Sequence, residues 1–224
     1  MNVGHVAFVG IGFLIGFRHA FEPDHLAAVS ILATRERGLR SAAALGLAWG
    51  AGHTVSVAAV TIIISVLGVR VPPAFAAAFE LAVASMLIFL GVSALISEAR
   101  RHRQGMGVAH AHAHAAHLAH RHPEQIGHAR GAFAFGTAHG LAGSGAVIVL
   151  LVAAASTIRA QMVYLMAFGI GTIGGMCVVS LLVSGLAGLA VAKSRHWATS
   201  IRVIAAMASA VVGVMLGWSV MVGA

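Results

Sequence analysis

From Met162 to Ala192 the chain runs without an acidic, basic or histidine side chain. An α-helix rises about 1.5 Å per residue, and roughly 20 apolar residues cross the hydrocarbon of a bilayer. This run is long enough to span, and it has company. Segments at about 3–33, 41–69, 74–97, 132–156 and 203–223 qualify as well, with 162–192 as the fifth in order. Only 9% of residues are charged, against about 25% in a soluble domain, and the mean hydropathy is +0.94. The expected fold is all-α: a polytopic membrane helix bundle of six transmembrane helices. The first segment is long for one crossing and short for two, so an interrupted crossing or a re-entrant turn is expected there. With 27 glycines, close helix contacts through small residues are expected too.

The net charge of +8 is spread between the apolar runs rather than gathered in one patch. It reads as a topology signal, with no nucleic-acid partner implied. Arg35, Arg37 and Arg40 join segments one and two. Arg100, Arg101, Arg103, Arg121 and Arg130 join three and four, and Lys193, Arg195 and Arg202 join five and six. The opposite loops hold only Arg70 and Arg159. Cytoplasmic loops carry the excess of Lys and Arg, so the odd loops are expected inside and both termini outside. The N-terminus has no basic stretch before its apolar run and does not read as a cleaved signal. The single Cys177 excludes an internal disulfide and says little about redox compartment.

The two halves resemble one another. "GFRHAFEPDH" (16–25) aligns with "GTAHGLAGSG" (136–145), setting Gly16 on Gly136 and His19 on His139. "WGAGHT" (49–54) aligns with "FGIGTI" (168–173), and "LGVS" (90–93) with "LGWS" (216–219). Three spans per half place the second copy upside down. The expected organisation is therefore two inverted three-helix repeats, 1–97 and 132–224, around a loop at 98–131, with the first helix of each half broken. Transporters built on such repeats bind their cargo near the midplane at broken helices.

The polar cluster "RHAFEPDH" (18–25) lies inside the first apolar segment. Pro23 lacks the N–H that would serve the His19 carbonyl, so the helix is expected to kink or unwind with that carbonyl free. In a straight helix His19, Asp24 and His25 would point about 120–140° apart, and a break removes that obstacle. His53 is expected about 18 Å into the second segment and His19 about 24 Å into the first, at overlapping depths. Imidazoles with one carboxylate suit first-row transition metals. Intramembrane charge costs at least about 2.5–3.5 kcal/mol, so the cluster needs a function or compensation. His19, Asp24, His25, His53 and His139 are the candidate metal ligands. Each lone histidine has the alternative of a helix-to-helix hydrogen bond. Glu22 is a possible secondary ligand, with an ion pair to Arg18 at i,i+4 as its default. Glu80 is either a proton carrier or a surface-reaching acid. Thr54, Ser144 and Thr172 read as packing hydroxyls that could also line a path.

The loop contains eight histidines, His102, His110, His112, His114, His117, His120, His122 and His128. A histidine-rich tract reads as metal binding, here weak and exchangeable because the spacing fits no closed site. A passive linker and a pH-sensing charge switch are the alternatives.

These motifs resemble the nickel/cobalt transporter family of the NicO superfamily. "RHAFEPDH" is similar to its His-x4-Asp-His signature, and "AGHTVSV" to the Gly-His-Ser/Thr segment that follows. "HGLAGSGA" is similar to the matching motif of short members found near urease accessory proteins. Glu22-Pro23 stands where the family commonly has Asp-Ala, and many members have more spans than six. The resemblance implies that His19, Asp24, His25 and His53 are required for transport of Ni²⁺ or Co²⁺. It implies a transporter rather than an enzyme, in the bilayer of a bacterial inner membrane. The metal would be cargo, with no prosthetic cofactor, and these features do not specify an oligomeric state. Two rival functions are an exporter of a small, sulfite-type anion using Arg18 and helix N-termini, and a non-transporting accessory protein that senses metal through its histidine loop.

Overall fold

The computed structural model describes residues 3–36, 38–67, 72–107, 129–141 and 157–223. The histidine tract and the expected break in the second half lie outside them. The described chain is helical: α1 Val3–His19, α2 Pro23–Ala33, α3 Leu39–Leu67, α4 Pro73–Gly107, α5 over 129–141, α6 Ile158–Lys193 and α7 Arg195–Gly223. Among the described residues there is no strand. α3, α4, α6 and α7 each contain a stretch long and apolar enough to cross a membrane. Leu182, Leu186 and Leu189 on α6 and Val214, Met215 and Trp218 on α7 present exposed apolar surface, as lipid-facing side chains do. The chain is a multi-pass membrane protein.

The interruption expected in the first segment falls at residues 20–22, between α1 and α2. With 17 and 11 residues, each piece is shorter than a full crossing. Pro23 takes the first position of α2, where its missing N–H leaves no helical bond unmade. The His19 carbonyl is not free, contrary to expectation. The chain tightens into three-residue turns at the break, and that carbonyl accepts from the Glu22 N–H at 3.0 Å, as the Arg18 carbonyl accepts from Phe21 at 2.9 Å. Tightening the last turn supplies the donor that proline lacks. α2 then runs through the centre of the bundle, burying Ala27, Ala28, Val29, Ile31 and Ala33 against α3, α4, α6 and α7.

Many close helix contacts fall on glycines, and ten of these glycines make contacts that occur in pairs. A methyl added to Gly16 would overlap the Phe168 carbonyl, and one on Gly136 would overlap the Trp49 carbonyl. Gly171 meets the Phe13 carbonyl as Gly52 meets that of Phe133. Gly50 lies on Ile173 as Gly169 lies on Thr54, and Gly175 on Ala20 as Gly140 on Ser56. Gly91 contacts Ala210 as Gly217 contacts Ala84. In the alignment of the two halves, each pair is one contact made twice. The residue order across these contacts makes α1 parallel to α6 and α3 parallel to α5. It makes α3 antiparallel to α6 and α4 antiparallel to α7. α1 therefore lies on α6, and α5 on α3.

Polar contacts tie the two ends. Arg202 on α7 donates to both carboxylate oxygens of Glu98 on α4, at 2.9 and 2.7 Å, and Thr199 donates to the same carboxylate at 3.1 Å. Arg35, after α2, and Arg101 line the same small pocket. The basic residues that follow α2, end α4 and open α7 thus share one end of the bundle. Burial, with Arg101 close by, pushes the Arg35 guanidinium below its usual value, and Glu98 opposes that shift. At the other end Ser65 of α3 donates to Gln161 of α6 at 3.0 Å.

Because Gly16 and Gly136 meet the backbone of Phe168 and Trp49, neither side of those contacts can yield by rotating a side chain. Gly16→Ala and Gly136→Ala are each expected to destabilise the detergent-purified protein by about 1–3 kcal/mol. Gly185→Ala, where an added methyl meets nothing within 4 Å, is expected to leave the thermal midpoint unchanged or raise it. Equal midpoints for all three would refute the paired-contact account.

Candidate metal centre

Four helices, two of them joined at the break, deliver the candidate ligands to one place. His19 is the last residue of α1, Asp24 and His25 lie in the first turn of α2, His53 is in mid-α3 and His139 is near the end of described α5. The turn at 20–22 re-aims α2, so Asp24 and His25 face the same centre as His19. Gly52 and Gly136 let α5 approach α3 until His139 joins the group. His25, His53 and His139 have no exposed surface and His19 is 6% exposed.

His19 Nε2 is 3.2 Å from His53 Nε2, and His19 Nδ1 is 2.9 Å from Glu22 Oε2. Asp24 takes two imidazoles, His25 Nδ1 on Oδ1 at 3.2 Å and His139 Nε2 on Oδ2 at 2.9 Å. The His25 ring lies 4.5, 5.0 and 4.2 Å from those of His19, His53 and His139. One donor atom from each of His19, His25 and His53 falls within 4.8 Å of the others, and so does one from each of Asp24, His25 and His139.

Proton positions follow from these partners. A carboxylate accepts only, so His19 and His25 carry their protons on Nδ1 and His139 carries its proton on Nε2. Their lone pairs then sit on His19 Nε2, His25 Nε2 and His139 Nδ1. Among the described residues the buried nitrogens His25 Nε2, His53 Nδ1 and His139 Nδ1 have no hydrogen-bond partner. Buried polar atoms are rarely left so, and an imidazole lone pair without a donor is one that a metal ion can satisfy. Glu22 sits where an outer carboxylate sits behind a metal-bound imidazole, fixing tautomer and orientation. That replaces the expected Glu22–Arg18 ion pair, because Glu22 turns to His19 instead.

Glu80 is exposed on α4 and is not brought to the centre. Thr172, aligned with His53, donates to the Gly16 and Phe168 carbonyls at 3.2 and 3.0 Å. Thr54 donates to the Gly169 carbonyl at 3.4 Å. Both are packing hydroxyls. Ser144, His110, His112, His114, His117, His120 and His122 lie outside the described residues. Sequence reasoning passed over Trp49 and Phe168, whose rings lie 5.8 Å from His139 and 5.5 Å from His19. The signal was present: the two aromatics are aligned with each other in "WGAGHT" and "FGIGTI".

The chain is similar to the urease accessory protein UreH of Bacillus sp. (strain TB-90), at 29% identity over 186 residues, covering 81% of this chain and 78% of that protein. No protein-family model matches the chain, and no solved structure does.

Asp24→Leu removes the acceptor for two buried imidazole N–H groups. It is expected to destabilise the purified protein by about 1–3 kcal/mol in the absence of metal. Glu80→Leu, at an exposed position, is expected to stay within about 0.5 kcal/mol of wild type. Comparison of thermal midpoints checks both; an Asp24→Leu protein as stable as wild type would remove Asp24 from the buried network.

Proposed function

We propose that this chain carries a divalent first-row transition-metal ion, nickel or cobalt, across the membrane. The observation that carries the proposal is the convergence of His19, Asp24, His25, His53 and His139 on one buried centre at the break in the first segment. Four imidazoles and one carboxylate favour a first-row transition metal over Mg²⁺ or Ca²⁺, which prefer oxygen-rich sites. The resemblance of the three motifs to nickel/cobalt transporters favours nickel or cobalt within that class. So does the similarity to a protein named for an accessory role to urease.

The architecture that serves this function is six crossings in two inverted repeats, 1–97 and 132–224. The α1–α2 pair forms the first crossing, and α5 belongs to the fourth. Its support is the pairing of glycine contacts and the antiparallel placement of α3 on α6 and α4 on α7. The protein sits in a bacterial inner membrane with both termini outside and the basic end cytoplasmic. The ion sheds water as imidazole and carboxylate replace its hydration ligands. Rocking of one repeat on the other, across the glycine contacts, opens the centre to each side in turn. The cytoplasmic histidine loop at 98–131 binds the same metal weakly and buffers it.

Flux of Ni²⁺ or Co²⁺ into vesicles holding the purified protein tests the proposal. His19→Ala and His53→Ala are expected to reduce it to the level of empty vesicles, and undiminished flux in both would overturn the site. Glu22→Gln is expected to weaken metal affinity by about 10–100-fold, as loss of an outer-shell partner does. Replacing the eight loop histidines by Gln is expected to change capacity while leaving flux through the centre; complete loss of flux would contradict the buffering role.

A further inference from the structure

We infer that the buried centre is two metal stations rather than one, that both use His25, and that an ion passes between them by exchanging one nitrogen of that ring for the other. The inference rests on the metal-transport reading above and deepens it. The donors fall into two groups of three, His19 with His25 and His53, and Asp24 with His25 and His139. Only His25 belongs to both. The outer members stand apart, with the His53 and His139 rings 6.1 Å from centre to centre.

The two groups differ in chemistry. The first offers three imidazole nitrogens, with Glu22 behind His19 Nδ1. The second offers two imidazole nitrogens and the Asp24 carboxylate itself. Each station thus has one carboxylate, in the outer shell of the first and in direct contact in the second. That matches one divalent ion at a time: a second ion would sit beside the first with no added counter-charge in a low-dielectric interior.

The His25 ring enforces the same limit. As it stands, Nδ1 faces Asp24 at 3.2 Å and carries the proton, and Nε2 is buried with no partner. A neutral imidazole has one lone pair. With the proton on Nδ1, His25 offers Nε2 to the His19/His53 group. With the proton on Nε2, it offers Nδ1 to the Asp24/His139 group. The two arrangements are tautomers of one ring, so filling one station empties the other. In the move His25 gives up its Nδ1 proton and takes one on Nε2, and His139 moves its proton from Nε2 to Nδ1, each relayed by water shed from the hydrated ion, so no proton is gained or lost overall. Transfer is a ligand exchange: the ion leaves His19 and His53 as it gains Asp24 and His139, and His25 is the ligand common to the start and the end.

Co²⁺ is the probe, because its visible absorption reports donor type and geometry. The protein is the full chain with His102, His110, His112, His114, His117, His120, His122 and His128 changed to Gln, so that the loop does not contribute. This background is expected to bind one Co²⁺. His53→Ala and His139→Gln are each expected to retain one Co²⁺, with two different spectra, while His25→Ala loses binding. Gln at 139 keeps an N–H for Asp24 but is a poor metal ligand, so it separates a structural hydrogen bond from a ligand. In vesicles both His53→Ala and His139→Gln are expected to lower flux to about one-tenth of the background or less. Loss of all Co²⁺ binding in both variants would show a single site and overturn the inference. So would a His139→Gln protein that binds and transports like the background. Two Co²⁺ bound at once in the background would overturn the tautomer exclusion. Failure of the background itself to bind or move Co²⁺ would instead overturn the transport reading.

Discussion

Backbone-to-backbone approach at glycine is the contact on which everything else rests. Inside a bilayer, lipid tails are as apolar as Leu, so helices gain little from burying apolar side chains against each other. What holds them is close van der Waals contact, and here glycines bring one helix onto the carbonyls of the next. Gly16 on Phe168 sets α1 against α6, and Gly136 on Trp49 sets α5 against α3. Those contacts fix how far His19 and His139 sit from the helices they face. A larger residue at either glycine would part the helices and carry the imidazoles out of reach of their partners.

The broken helix is the second constraint, and it works only inside the first. Pro23 ends α1 and starts α2, but the break is tolerated because tight turns and packed neighbours satisfy the freed backbone. The Thr172 hydroxyl reaches the Gly16 carbonyl, and the Glu22 N–H reaches that of His19. The polar residues of the break are similarly provided for. Asp24 is held by two imidazoles and Glu22 by one. In return the two carboxylates accept from His19, His25 and His139 and orient those rings. A cluster that is costly to place in hydrocarbon becomes a preorganised set of donors.

The halves are alike in packing and unlike in chemistry. Gly52 and Gly171 make the same contact, yet the neighbouring positions hold His53 in one half and Thr172 in the other. His53 joins the cluster and Thr172 bonds to carbonyls. Asp24 and His25 have no acidic or imidazole counterpart in the aligned segment, where Ser144 and Gly145 stand. The centre therefore draws on both halves but takes most of its donors from the first.

The sequence by itself determined the membrane class, the candidate spans, the interruption at Pro23 and the identity of the candidate ligands. These are local properties, because apolar length, the missing proline N–H and the cost of intramembrane charge act along the chain. His139 was legible only through the internal alignment. Tertiary structure alone decided who meets whom. It turned Glu22 to His19 instead of Arg18, filled the His19 carbonyl that proline had left without its donor, and left Glu80 at the surface. It put Trp49 and Phe168 against the histidines, paired Glu98 with Arg202, and set His25 between two groups of donors. Partners across helices depend on register and on approach distance, and these are fixed by glycine contacts between residues more than eighty positions apart in the chain, beyond the reach of any local pattern.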